Sequence, residues 1–125
     1  MNKNGILPDV IMIYMGTNDA GWDIPLEGDE ISYFRGAYRT MLKNLKSNYP
    51  KAEIWCLTPC QRLGNDGSYM KGYCDIISDC AKEYDCMLID LFNQPEHYTT
   101  IDGLHPNADG MKIIANAVLD RIKTN

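Results

Sequence analysis

Apolar residues run without interruption from Val10 to Met15, between Pro8-Asp9 and Gly16. A short continuous run ended by glycine predicts a strand, here Pro8 to Gly16, buried on both faces. The pattern then changes period. Ile31, Phe34, Tyr38, Met41, Leu42, Leu45 and Tyr49 form the i, i+3, i+4, i+7 stripe of an amphipathic helix within residues 28–50. Asp29 and Glu30 suit its positive end, Lys43 and Lys46 its negative end, and Pro50 stops it. A second strand is predicted at Ala52 to Pro59, followed by the turn-rich loop Gln61 to Ser68. Tyr69, Tyr73, Ile76, Ile77, Cys80 and Tyr84 mark a second helix, and Cys86 to Phe92 a third strand. After a loop from Asn93 to His105, a last helix is predicted to bury Met111, Ile114, Ala115, Val118 and Ile122, with Pro106 in its first position.

The order β-α-β-α-β-α, without internal repeat or linker, predicts one α/β domain over residues 1–125, a parallel sheet with helices on its faces. In such sheets chemistry gathers beyond the carboxyl ends of the strands. Three segments share that edge: "GTND" after the first strand, "PCQRLGN" after the second and "IDGLHP" after the third.

Charge narrows the partners. The formal net charge of −5 argues against a nucleic-acid footprint and against anionic membranes. No apolar run approaches the length of a membrane helix, and "MNKNGILPDV" lacks the apolar core of a signal peptide. Taken alone the chain reads as cytoplasmic, with a secreted parent left open. Five cysteines, an odd number, read as free thiols that fill space. Cys56 and Cys60 flank a strand end, and Cys74, Cys80 and Cys86 point to different sides of a helix, so no metal site is expected.

Two of the edge segments hold chemistry. In "GTND", Asn18 can aim its amide N–H into the crevice and donate to a developing oxyanion. The competing reading is a plain strand-end turn, since Thr, Asn and Asp bond their own backbone in turns. In "DGLH", a carboxylate at Asp102 can fold back onto one ring nitrogen of His105, leaving the other as general base. The competing reading is a helix-entry turn in which Asp102 binds backbone N–H groups. The chain's other histidine is His97.

Together, "GTND" and "DGLHPNADG" resemble the third and fifth blocks of the SGNH hydrolases, also called GDSL esterases/lipases, in the expected order and on the expected strands. The likeness extends to "PDVIMIYMGTND" and "AEIWCLTP" and covers essentially the whole chain. It implies a three-layer α/β/α, flavodoxin-like fold and acyl transfer by a serine without a cofactor. It also implies Asn18 as oxyanion donor, His105 as base and Asp102 as its orienting carboxylate, with Gly16, Thr17 and Asp19 in support. The implied substrate is a small-molecule or carbohydrate ester, such as an acetyl or short acyl ester. Trp22, Leu26 and Tyr98 are candidates for the pocket wall, or else caps of a core.

The departure from the family is the nucleophile. No Gly-Asp-Ser precedes "GTND", and Ser32, Ser47, Ser68 and Ser78 fall within or beside predicted helices. The second-block glycine is lacking too. At about 30 residues per β-α-β unit, roughly two strands and their helices are expected to be missing. The chain then reads as the C-terminal part of a hydrolase, inactive alone. A degenerate remnant, a half-site completed by another chain, or a non-catalytic binding module on the same scaffold are the alternatives. Thr17 and Cys60 are the only other candidate nucleophiles on the edge. With its neighbours gone, the strand 8–15 would expose an apolar edge, which predicts a homo-oligomer.

Overall fold

The structure, a computed structural model, describes residues 5–124; the first residues of the stretch read above for a leader lie outside them. Three strands, β1 (Val10–Tyr14), β2 (Glu53–Leu57) and β3 (Met87–Ile89), form a parallel sheet in the order β1-β2-β3. Val10 stands opposite Glu53 and Tyr14 opposite Leu57, while Trp55 pairs with Met87 and Leu57 with Ile89. The short helix α1 (Thr17–Gly21) follows β1, and α2 (Phe34–Asn48) leads back to β2. A 3₁₀ turn (Gly67–Met70) runs into α3 (Lys71–Glu83), and α4 (Ala108–Thr124) closes the chain.

Right-handed crossovers that step in one direction place their helices on one face. Accordingly α2 and α3 pack together, and Phe34, Tyr38, Leu42, Tyr73, Ile76, Ile77 and Cys80 form one core with Ile13, Ile54 and Cys56. On the opposite face α4 sets Ile113, Ile114, Ala117, Val118 and Ile122 against Trp55, Leu57, Met87 and Ile89. The expected three layers are present.

Alternation along β1 sends Ile11 and Ile13 to the α2–α3 side and Val10, Met12 and Tyr14 to the other. Because α4 lies over β2 and β3, those three stay open, Met12 by 49%. β1 is therefore not buried on both faces as its composition predicts. Among the described residues its outer edge pairs with no strand.

Helix α2 begins later than its stripe suggests. Residues 25–30 fold back over its first turn, where Phe34 N–H bonds Pro25 O, Arg35 N–H bonds Leu26 O and Gly36 lies against the Asp29–Glu30 backbone. Asp29 does not sit in the first turn; it pairs with Arg39, and Ile31 is 74% exposed. Tyr69 and Met111, expected to be buried, are exposed, as is Ala115; α4 instead turns Gly110 and Ala117 inward. Pro106 precedes the helix rather than opening it.

The buried cysteines line these cores, and burial pushes the thiols of Cys56 and Cys74 up to about 12. Among the described residues no group of three or more His, Cys, Asp or Glu is placed to hold a metal ion, and no helix is long and apolar enough to cross a membrane.

Candidate functional site

Gly16 converts the end of β1 into the start of α1. Its φ of 126° is open to glycine, and a Cβ there would press on Pro59 at 3.3 Å. Ala20 N–H then bonds Gly16 O at 2.9 Å and buried Ala20 anchors the turn, so "GTND" forms a one-turn helix with Asn18 exposed at the sheet edge.

The segment 98–107 is held from several sides. Tyr98, buried, bonds Gln61 O through its N–H, accepts Leu63 N–H, and donates its hydroxyl to Leu104 O. Thr100 and Pro106 form an antiparallel bridge, and Ile101 N–H bonds His105 O. Asn107 caps α4: its Oδ1 accepts Gly110 N–H at 2.8 Å and the Thr99 hydroxyl at 2.6 Å. Gly110 has its own reason to be glycine, because a Cβ there would collide with the carbonyl oxygen of Thr99. That backbone cannot yield without moving the loop. Gly110→Ala is expected to destabilise the fold by about 1–3 kcal/mol despite alanine's better helix propensity. Chemical denaturation checks it; an unchanged or higher midpoint would show that the loop gives way freely.

Within this frame the two oxygens of Asp102 divide the work that the sequence left open between two readings. Oδ1 accepts the backbone N–H groups of His105 (2.7 Å) and Leu104 (2.9 Å), as in a turn. Oδ2 lies 2.7 Å from His105 Nδ1, as in a dyad. The His105 N–H, then its imidazole, then the Leu104 N–H hold the carboxyl well below the usual carboxylate range. A lowered carboxyl contributes stability that is present above its unfolded value of about 3.9 and is lost as pH falls through the folded value. The loop is therefore expected to keep its structure at acidities where ordinary carboxylates are already protonated. An NMR titration following the Asp102 carboxyl and the His105 amide checks this; a midpoint in the ordinary range would contradict it. The His105 and Asp102 side chains are 70% and 51% exposed, so solvent screens the pair and its value is geometric.

His105 opens onto a cleft of about 200 Å³ that it shares with Tyr14, Thr17 and Asn18. The structure thus brings together Asn18 and His105, which β2 and β3 separate along the chain. A wider space of about 480 Å³ adjoins it, with Thr17, Asn18 and Leu104 in both and Trp22, Arg62, Asn65 and Tyr69 on the far wall. Gly16 is buried beneath Asn18 rather than lining either space. Leu26 packs on the α2–α3 core, and His97 lines neither space.

Arg62 and Tyr14 were not singled out by sequence reasoning. Tyr14 accepts Cys60 N–H at 3.1 Å, and burial of its hydroxyl end raises it to about 12, although the residue as a whole is partly exposed. Arg62 donates to Gly103 O at 3.1 Å and to the Tyr69 hydroxyl at 2.8 Å. A signal existed for Arg62: it is the only Lys or Arg in the three edge segments.

Cys60 is not a replacement nucleophile. It is buried, Gln94 Nε2 donates to its sulfur, and burial pushes the thiol up, which keeps it protonated and unreactive. None of Ser32, Ser47, Ser68 and Ser78 lines either part of the cleft.

Residues 3–113 match the model of the GDSL-like lipase/acylhydrolase family. No curated protein sequence matches the chain. Among solved structures, a Lactobacillus plantarum protein superposes with a TM-score of 0.82 at 22% identity, over 94% of this chain and 67% of that one. A Bacteroides ovatus protein, provisionally assigned as a GDSL-like lipase, gives 0.73 at 23%, over 94% and 55%. A family two carbohydrate esterase from Clostridium thermocellum, solved with cellohexaose, gives 0.72 at 17%, over 97% and 37%. At these identities the likeness is one of fold, and the chain spans only part of each of these structures.

Proposed function

Because the chain belongs to the GDSL-like lipase/acylhydrolase family, we propose that it carries the base and one oxyanion donor of a serine ester hydrolase. The observation that supports this most is the Asp102–His105 pair opening onto the same cleft as Asn18. With Nδ1–H donated to Asp102, His105 presents Nε2 as the basic nitrogen. It takes the proton of a serine hydroxyl as that oxygen attacks the ester carbonyl, and Asp102 stabilises the imidazolium that results. The Asn18 amide N–H donates to the oxyanion as the carbonyl double bond opens. The imidazolium then protonates the leaving alcohol, and water repeats the sequence on the acyl-enzyme. The steps need no cofactor. The substrate class is a carbohydrate or short-chain acyl ester, in keeping with the esterases that share the fold.

The attacking serine in this reading lies outside these 125 residues, since no serine of the chain lines the cleft. The same fact motivates a second reading, a non-catalytic binding module on this scaffold. Fluorophosphonate labelling followed by intact mass separates them. The 125-residue chain is expected to stay unmodified, while the product of its gene read with any upstream in-frame sequence gains one adduct and hydrolyses a model ester. An adduct on Ser32, Ser47, Ser68 or Ser78 would overturn the assignment of the nucleophile. A gene product that neither labels nor hydrolyses would favour the binding module.

The open edge of β1 supports one further element of this proposal: a second copy pairs along it, with Val10, Met12 and Tyr14 providing the apolar face. Light scattering on the 125-residue chain is expected to give a mass that rises with concentration. A constant monomer mass across the concentration range would rule this out.

A further inference from the structure

Arg62 stands out against the other cleft residues by its charge. It is partly buried, and two of its five N–H donors are taken by neutral acceptors, Gly103 O and the Tyr69 hydroxyl. Among the described residues no carboxylate lies within ion-pairing distance of it. Arg35 and Arg39 behave differently: the first meets Glu27 and Asp79, the second Asp29 and Glu83. Asp66, near in sequence, turns one carboxylate oxygen to Ser68 N–H and forms no ion pair with Arg62. An anion that reaches a guanidinium without a counter-charge forms one of the stronger polar contacts available.

The wall around Arg62 has the same bias. The chain holds 17 Asp and Glu, yet none lines the wider space. Its polar groups are the Arg62 guanidinium, the Asn18 and Asn65 amides, the Thr17 and Tyr69 hydroxyls and the Trp22 indole N–H. All can donate, and indole and guanidinium can only donate. Trp22, 82% exposed, adds an apolar ring at the rim.

We propose that this wider space is a binding subsite for an anionic group, a carboxylate or a phosphate, carried by the ester substrate, with Arg62 as its charge partner. The subsite adjoins Asn18, and Arg62 itself touches the Asp102–His105 loop through Gly103 O. A ligand anchored there lies beside the reacting groups, and Tyr69 and Gly103 hold the guanidinium ready for it. The inference rests on the esterase reading only in calling the ligand a substrate.

Binding can be measured on the 125-residue chain without turnover, so an inactive gene product would not touch this result. The probes are a methyl glucuronide, glucose 6-phosphate and, as the neutral partner of matching size, a methyl glucoside. NMR follows the Arg62 Nε–H, the Trp22 indole N–H and the Asn18 and Asn65 amides. At least one anion is expected to bind about tenfold or more tightly than the glucoside, a difference of about 1.4 kcal/mol, and to shift these signals. Preference for the glucuronide assigns a carboxylate, and preference for the phosphate assigns a phosphoryl group. Arg62→Gln is expected to abolish the preference. Tyr69→Phe, which leaves the charge but frees one side of it, is expected to reduce the preference without removing it. The wild-type comparison stands even if Arg62→Gln loosens the loop. Equal binding of all three probes, no binding of either anion at millimolar concentrations, or a preference that survives in Arg62→Gln overturns the proposal.

Discussion

His105→Ala is expected to lower kcat for ester hydrolysis by about 10⁴- to 10⁶-fold, in a gene product that holds this chain together with its serine, and to leave KM nearly unchanged. The size follows from the role. Without the imidazole no group at the cleft takes the serine proton or returns it to the leaving alcohol, and what survives is the oxyanion donor and substrate binding. Because the side chain is 70% exposed and, among the described residues, its ring bonds Asp102 alone, the substitution costs little stability. A loss of activity with the denaturation midpoint preserved is therefore the expected signature. Asp102→Asn is expected to cost less than the about 10⁴-fold found where the orienting carboxylate is buried, because solvent competes for this half-exposed pair. The asparagine Oδ1 keeps the Leu104 and His105 N–H groups, while Nδ2 replaces the oxygen that faces Nδ1, so the imidazole signals should move more than these two amide signals. Steady-state kinetics on a p-nitrophenyl ester decides the matter. Activity within tenfold of the parent in His105→Ala would remove the base from the mechanism.

Asn18→Ala is expected to lower kcat by about 10²- to 10³-fold, with KM again little changed, since the amide bonds the oxyanion more strongly than the ground-state carbonyl. Asn18 is exposed on a one-turn helix, and among the described residues its side chain holds no hydrogen bond. Truncation therefore leaves the fold intact, and the effect reads on chemistry alone. A raised KM at constant kcat would instead describe a residue that binds ground state and transition state equally. Asn18 would then belong with Arg62, Asn65 and Tyr69 as part of the binding wall.

The two parts of the site were legible to different degrees. Asp102 and His105 are three positions apart, so a turn of that size can bring carboxylate to ring, although the same spacing also fits a helix-entry turn on backbone N–H groups. Only the double use of Asp102, one oxygen on the backbone and one on the imidazole, needed coordinates. Asn18 could be placed on the same sheet edge as His105 from strand order, but a shared cleft depends on how α1 and the 98–107 loop pack. Gly110 was visible as part of "DGLHPNADG", while its reason, the Thr99 carbonyl crossing the first turn of α4, was not.

By itself the sequence determined the order of the elements, the parallel sheet, the resemblance to a hydrolase family and the nearness of Asp102 to His105 along the chain. These rest on period, short-range geometry and crossover handedness, which act within a few residues or on every chain alike. The tertiary structure alone decided that α2 starts at Phe34, because residues 25–30 fold back over its first turn. It decided that β1 keeps one face open, because α4 covers β2 and β3, and that Cys60 is sealed away as an inert thiol. It also set Arg62 against Gly103 O with no carboxylate in ion-pairing distance among the described residues. Each depends on where distant segments come to rest against one another, and hydrophobic periodicity, which says only that a face is buried, does not say what covers it.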